Sequence, residues 1–522
     1  MTSLAVDPAD PTAIAARAAS IVGADNVVSD ADERAVYSQD IVQWDAPIAD
    51  LVVRPASVTD VSALLQLASE LGLAVAPRGG GLSYTRGYVP EKTGTMILDL
   101  TRLNVIHEVN EEDRYITLGP AVTWQQVMDE LRPRGMRTVL TGPISGIYST
   151  VGGAASQNIP GSMDTILGLE VVLADGRIVH TGSSAISRAD SPFYRYYGPD
   201  LTGLFLGDTG TYGVKTRLTL RIERIPEGVA FGSFAFETLS DMAAAMTDVS
   251  RLGVAGKSFG MDPLKNRTAT KVSLREGAET LRDVARGSGS LVRGLKDAAR
   301  IVAAGRDAYD DVKWSLHLTV EGFDQRAADA AMAATRKACA VHGGRDIEPS
   351  IPIAMRAKPF SIRGFLGLNG ESWVPVHGVF PMSKARDVVR VVESFFAERQ
   401  PLLDEHDIQV SYLSSINGQF WLLEPMFYWM DAVSEFHMRY LDRKRYAKFQ
   451  AIPANPDARA AVMRMRGELR DLFFGLGAVS AQIGKFYNLA DALEPETYAV
   501  LTSIKDLLDP DRRLNPGNLG WR

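Results

Sequence analysis

Three glycine-rich stretches crowd the first part of this chain: Pro77-Arg78-Gly79-Gly80-Gly81-Leu82-Ser83-Tyr84, Thr150-Val151-Gly152-Gly153-Ala154-Ala155-Ser156-Gln157-Asn158, and Leu167-Gly168-Leu169-Glu170-Val171-Val172-Leu173-Ala174-Asp175-Gly176. Glycine lacks a Cβ, so main-chain amides there approach an anion without obstruction. The first stretch follows the apolar run Leu73-Ala74-Val75-Ala76, which predicts a strand that ends in a phosphate cradle. A strand-ending glycine cluster also makes ordinary turns, and the G-x-G-x-x-G spacing of a dinucleotide-binding βαβ unit is missing. Several such stretches in a fixed order carry the reading, and no single one does.

A chain of 522 residues is too long for one core. Its 46% hydrophobic and 23% charged residues are ordinary for a folded globular protein. The formal charge of −7 argues against nucleic acid as a major partner, and short basic runs such as Asp442-Arg443-Lys444-Arg445 read as solvated faces. No apolar run is long enough for a membrane span, and the start Met1-Thr2-Ser3-Leu4 lacks a secretion signal, so the expected location is cytoplasmic. The single cysteine, Cys339, excludes an internal disulfide; within the helix-like Ala328 to Val341 it reads as a small buried hydrophobe.

Helical spacing at Ile14-Ala18-Ile21-Val22 and at Val61-Leu64-Leu65-Leu67-Ala68-Leu71 flanks a strand-like Leu51-Val52-Val53. Met96 to Leu100, Tyr115 to Leu118 and Glu170 to Leu173 read as short strands, and Trp124 to Leu131 as a helix capped by Thr123. The texture changes near Pro226-Glu227-Gly228. From there, strands at Ala230 to Phe236, Ser315 to Val320, Trp373 to Val379 and Gln419 to Leu423 alternate with helices starting near Ser240 and Gln325, which suggests an antiparallel sheet covered by helices. His317 alternates with Leu316 and Leu318 and so faces away from them, as a structural or exposed histidine. Arg286-Gly287-Ser288-Gly289-Ser290 reads as a hinge or a surface insertion.

Val53 to Val58, the Pro77 to Ser83 loop, Val151 to Asn158, Gly168 to Gly176, Tyr197 to Phe205, Gly210 to Val214 and the ending Leu508 to Leu519 resemble the FAD-binding domain of the vanillyl-alcohol oxidase and p-cresol methylhydroxylase superfamily. The resemblance implies an α+β, two-domain flavoprotein: a PCMH-type FAD-binding domain over 1–225, an antiparallel-sheet cap (substrate) domain over 226–475, and a segment 476–522 that returns to the FAD-binding domain. It implies FAD as cofactor, surrounded by Pro77, Arg78, Gly79, Gly80, Gly81, Leu82, Ser83, Gly152, Gly153, Ser156, Asn158, Gly213, Val214 and Asn515. It also implies a small-molecule substrate, O2 or another electron acceptor, and a homodimer. The histidines that anchor FAD covalently in such proteins are replaced by Leu82 or Ser83 in the loop, and the comparable cap strand reads Ser414-Ser415-Ile416-Asn417-Gly418-Gln419-Phe420. Non-covalent FAD is therefore expected.

The D-2-hydroxy-acid dehydrogenase branch carries a Glu-His-Gly motif and paired metal-binding histidines. Here the matching Gly477 to Lys485 offers Gln482 and Ile483, so no metal site is expected. Val376 to Met382 and Tyr197 to Phe205 resemble the phenol-oxidising branch, yet its Tyr-Arg pair is not evident near Ala481 and Gln482, and its carboxylate base is replaced by Ser156 or Gln157. What remains is the aromatic cluster Phe420 to Asp431, followed by Glu435, His437, Arg439 and Tyr440. Tyr428 and Trp429 read as a substrate wall or as core, and His437 or His377 as the acid/base or as structural histidines. Asp431 is placed to orient His437 or exchange a proton. Arg363 and Lys485 read as cations near the flavin or as surface ion pairs. The expected enzyme is an FAD-dependent oxidoreductase that takes a hydride from the CH–OH group of an aromatic or mostly apolar alcohol or phenolic substrate. The alternatives are a D-2-hydroxy-acid dehydrogenase without the usual metal site, using Arg363 and Lys485 for the carboxylate, and a non-redox flavin-dependent lyase or synthase.

Overall fold

Leu51-Val52-Val53 and Met96-Ile97-Leu98 are apolar at every position, and strands of that kind need cover on both faces. In the computed structural model they pair in parallel, Leu51 opposite Met96 and Val53 opposite Leu98. The structure describes residues 11–139, 142–157, 159, 163–269, 298–301, 309–360, 365–441 and 443–521. Asn158, Arg363 and the Arg286 to Ser290 stretch lie outside the described residues. Packing divides the chain into two units, one of Met1–Arg224, Ser434–Arg439 and Ala481–Arg522, the other of Ile225–Val433 and Tyr440–Ser480.

The first unit holds two sheets. The smaller runs in the order Val27–Val28, Leu51–Val53, Thr95–Asp99, Ala74–Arg78. Helix Val58–Leu71 packs Val61, Leu64, Leu65, Leu67 and Ala68 into its core, starting at Ser57, whose side chain caps the Asp60 amide, and stopping at Gly72 in the left-handed region. The larger sheet is antiparallel, in the order Ile106–Asn110, Tyr115–Leu118, Val214–Arg224, Ile166–Val172, Ile178–His180. Helix Trp124–Leu131 begins in a reciprocal cap between Thr123 and Gln126. The C-terminus returns because the Val75 amide donates to Arg513 O at 2.8 Å and the Asn515 amide to Val75 O at 2.7 Å, which places Asn515 beside the strand that feeds the glycine loop.

Ser434–Arg439, inside the 226–475 range read from sequence, packs with this first unit. Arg439 pairs with Glu33 at 2.7 Å and lies over the Tyr37 ring, so the helical turn Glu435–Met438 is tied to helix Ala31–Tyr37.

The second unit is one antiparallel sheet, in the order Arg345–Ile347, Gly228–Phe236, Trp314–Gly322, Ala255–Met261, Gln409–Asn417, Phe420–Trp429, Ser372–Pro375, with Gly378–Pro381 also pairing Phe420–Trp429. Period-two alternation sorts its side chains onto two faces. Phe234, Phe236, Leu316, Leu318, Val320, Trp421, Leu423 and Phe427 share one face, buried. Helices Leu239–Arg251, Gln325–Val341 and Ala385–Glu398 cover it with Met242, Met332 and Phe396 among others. Cys339 is fully buried in the second of these helices, and burial pushes its thiol up to about 12, as suits a packing residue.

His317 lies on the other face, as its alternation predicts, but it is fully buried rather than exposed. Its Nδ1 and Nε2 each stand 2.8 Å from a serine hydroxyl, those of Ser233 and Ser315. Ser315 donates its own proton to Asn266 Oδ1 at 2.6 Å, so it accepts from Nε2–H, and Nδ1 accepts from Ser233. Burial lowers the imidazole to about 3. Because the folded form resists a proton that the unfolded form binds below the ordinary value of 6.5, stability is full above pH 6.5 and falls as pH drops toward 3. The loss expected over that window is on the order of 4 kcal/mol. Acid unfolding followed by fluorescence checks this: His317→Gln is expected to flatten the pH dependence in that window, and an unchanged slope would contradict it.

Candidate functional site

In the first unit, strand Ala74–Arg78 ends where Arg78 is clamped between the rings of Tyr37 and Tyr88, with its guanidinium 4.8 Å and 5.3 Å from their centres. The next residues pass too close to their neighbours for side chains. A Cβ on Gly79 would stand 2.5 Å from Thr150 Oγ1, and one on Gly80 would stand 2.2 Å from the Tyr148 carbonyl oxygen. Gly81 has φ +78°. Its carbonyl is held by Tyr88 Oη at 2.7 Å, and the Ser83 carbonyl by the Ile41 amide at 3.0 Å. With those carbonyls turned inward, the amides of Gly81, Leu82 and Ser83 have no hydrogen-bond partner among the described residues. Successive amides arranged so form an anion-binding concavity. The Ser83 hydroxyl accepts from the amides of Thr85 and Gly87, so it shapes the turn itself.

Other residues expected around the cofactor have different tasks. The Gly152 amide donates to Pro120 O at 2.9 Å and that of Gly153 to Thr150 Oγ1, which starts helix Val151–Ser156. The Ser156 carbonyl accepts from the Thr209 amide. Gly213 leaves no room for a Cβ beside Val171, and the Val214 side chain belongs to the apolar core. Asn515 sits at the centre: its Nδ2 donates to Gly87 O at 2.7 Å and Thr209 O at 2.6 Å. Asn518 donates to Gly87 O as well, and Gln157 reaches the same glycine. The side-chain oxygens of Asn515, Asn518 and Gln157 are all buried without a partner among the described residues. Gln157 and Asn518 lie within the Val151 to Asn158 and Leu508 to Leu519 stretches that resemble the FAD-binding domain, but the sequence does not single them out as cofactor contacts.

Lys485 donates Nζ to Val89 O at 2.8 Å and Arg86 O at 3.1 Å, and its amide to Thr85 O. Burial, opposed in part by Glu91, lowers its ammonium to about 7. Its protons are thus committed to holding the 85–89 loop. His437, also in this unit, is buried with Nδ1 2.7 Å from Ser434 Oγ, and burial lowers its imidazole to about 4.

In the second unit, Asp431 spends its oxygens on Arg459, the Asn455 and Ala432 amides and Trp429 Nε1. Burial alone would raise this carboxyl, but Arg459 and the amide donors outweigh it and hold it below the ordinary range. Asp431 is therefore a structural anchor with no oxygen left to orient a histidine. Tyr428 and Trp429 do not form one wall, because neighbours on a strand point to opposite faces. Trp429 is buried, while Tyr428 lies half-buried on the face opposite, its ring stacked on Trp373 with centres 6.5 Å apart and its hydroxyl 3.4 Å from Lys265 Nζ.

That face of the sheet carries Leu422, Glu424, Met426 and Tyr428 on one strand, Leu413 and Ser415 on the next, then Lys257, Phe259 and Met261. Glu424 brings its Oε1 to 3.4 Å from Nε2 of the buried His377. Glu424 carries no motif; a lone acid inside an apolar strand is its only sequence signal. Among the described residues no three His, Cys, Asp or Glu side chains gather as a metal site would need.

Residues 49–182 match the FAD binding domain family, and residues 450–519 match the C-terminal domain of FAD linked oxidases. In fold, the chain is similar to a 4-ethylphenol oxidase from Gulosibacter chungangensis, with TM-score 0.73 and 18% identity over 100% of this chain and 99% of that one. A p-cresol methylhydroxylase gives TM-score 0.70 and 17% identity over 98% and 96%. The fold is thus the one that the resemblance to the vanillyl-alcohol oxidase and p-cresol methylhydroxylase superfamily implies. The matched FAD binding domain brings FAD as cofactor, and the architecture is mixed helix and sheet of the PCMH type. A relative within reach by sequence is a glycolate oxidase subunit of Bacillus subtilis, 29% identical over 224 residues, which are 41% of this chain and 46% of that protein. The chain thus spans less than half the length of the curated relatives it matches.

The first unit fits FAD, the cofactor of the domain matched at residues 49–182. Three unpartnered amides suit a diphosphate, and three buried acceptor oxygens around Gly87 suit the N–H groups of a heteroaromatic ring. No helix among the described residues is long and apolar enough to cross a membrane.

Proposed function

We propose that this chain is an FAD-dependent oxidoreductase that takes a hydride from an oxygen-bearing carbon of an aromatic or otherwise mostly apolar alcohol. One observation carries the substrate reading: one face of the second unit's sheet presents the Tyr428 and Trp373 rings, Met426 and Leu422 beside an imidazole–carboxylate pair, His377 and Glu424. The amides of Gly81, Leu82 and Ser83 with Asn515, Asn518 and Gln157 would hold FAD, which when bound would supply the two-electron acceptor. Tyr428 and Trp373 orient an aromatic ring by stacking, and the apolar side chains keep water from it. The His377–Glu424 pair takes the hydroxyl proton, and the positive charge ends on an imidazolium steadied by Glu424 Oε1. Reoxidation would fall to O2 or another electron acceptor.

FAD is held without a covalent bond, so acid precipitation is expected to release the yellow chromophore into the supernatant. The deciding experiment mixes the purified protein, under argon, with aryl alcohols and with 2-hydroxy acids while the flavin spectrum is followed. Bleaching by aryl alcohols is expected. Bleaching by 2-hydroxy acids alone would overturn the substrate class in favour of the second reading, which the glycolate oxidase relative supports for the flavin half.

A further inference from the structure

Helix Pro495–Leu508 inverts the usual sorting of side chains. Val500 and Leu507 stand 60% and 76% exposed, and the one side chain the helix buries is a lysine, Lys505. Its ammonium has three protons, and they go to Thr211 O at 2.7 Å, Asp509 Oδ2 at 2.5 Å and Leu514 O at 3.2 Å. Asp509 in turn accepts from the amides of Arg513 at 3.1 Å and Leu514 at 2.7 Å. A second buried pair lies on the other side of Thr211. There Lys215 Nζ is 2.6 Å from Asp208 Oδ1, which also accepts from the Gly210 amide at 3.0 Å. As a source of stability, buried pairs of this kind rarely better well-packed apolar side chains, so their place here calls for another reason.

Thr209 and Asn515 supply that reason. They are held at φ +52° and +45°, in the left-handed region that a β-branched threonine enters only under constraint. Asn515 Nδ2 donates to Thr209 O and to Gly87 O, and those two bonds decide where the oxygen of the same amide points. Lys505 ties the turn that carries Thr209 to the segment that carries Asn515, through Thr211 O on one side and Asp509 and Leu514 O on the other. We propose that Lys505, paired with Asp509, is a positioning residue that sets the Asn515 side-chain oxygen for an N–H group of FAD. The inference rests on the reading of Asn515 as an FAD contact. That oxygen is buried and has no partner among the described residues, so a small slip between the two segments leaves its hydrogen bond to the cofactor unmade.

The test titrates FAD into the full-length protein freed of flavin and follows flavin fluorescence, with circular dichroism and a thermal midpoint recorded for each apoprotein. Wild type is compared with Asn515→Ala, with Lys505→Met combined with Asp509→Asn, and with all three substitutions together. Changing both members of the pair strands no buried charge, so the fold is expected to hold. Asn515→Ala should raise the FAD Kd about a hundred-fold, and the neutralised pair about ten-fold. The triple variant should bind no more weakly than Asn515→Ala, because a residue that acts through Asn515 then has nothing left to act on. Losses that multiply in the triple variant, to about a thousand-fold, would overturn the proposal, as would wild-type affinity in the neutralised pair. A neutralised pair that does not fold would make the charges a requirement of stability and count against it equally. Wild-type affinity in Asn515→Ala looks different: it removes Asn515 from the FAD contacts, and the proposal falls with that reading.

Discussion

Gly80→Val is expected to yield a folded but colourless protein. The reason lies in the neighbours of the glycine loop more than in the space a ligand takes. A Cβ at position 80 would stand 2.2 Å from Tyr148 O and 3.2 Å from Tyr148 C. Those are backbone atoms, which cannot rotate away as a flexible side chain would. Either the 79–83 loop lifts or the turn before helix Val151–Ser156 moves, and both displace the amides of Gly81, Leu82 and Ser83. Overpacking of this kind costs about 3 kcal/mol, which corresponds to roughly a hundred-fold in flavin affinity. The measurement is the 450 nm to 280 nm absorbance ratio after dialysis, with circular dichroism to confirm the fold. Normal flavin content in the variant would remove the loop from the cradle. Gly467→Ala, where an added Cβ meets nothing within 4 Å, should retain its colour.

The glycine loop was legible in the sequence because backbone geometry dictated its composition, whatever the ligand. So was Thr123 as the cap of helix Trp124–Leu131, to which the structure adds the reciprocal bond of Gln126. The opposite faces of Tyr428 and Trp429 were legible too, since strand alternation requires them, but the aromatic cluster obscured that periodicity. Glu424 was not. Its meaning depends on Gly378–Pro381 pairing with Phe420–Trp429, which carries His377 to it, and no local pattern sets that register. Asn518 and Gln157 matter only because folding buries their oxygens without partners. Desolvation is a property of the assembled unit, and composition is silent on it. Asp431 shows the reverse case, an acid beside aromatics whose oxygens are taken by Arg459 and two amides.

Replacing His377 by alanine is expected to slow flavin reduction by roughly 10²–10⁴-fold in anaerobic single turnover. Substrate affinity should change little, because the rings of Tyr428 and Trp373 remain. Flavin content should also hold, since the cradle residues belong to the first unit and His377 to the second. Glu424→Gln should slow the same step by about ten-fold, because the carboxylate 3.4 Å away orients the imidazole and steadies its protonated form. His437 provides the contrast. Burial lowers that imidazole to about 4, which makes it a poor base at neutral pH, and Ser434 holds its Nδ1. His437→Ala should therefore lower the thermal stability of the first unit and leave the reduction rate unchanged. Wild-type reduction in His377→Ala, with a slow His437→Ala, would transfer the proton-accepting role to His437.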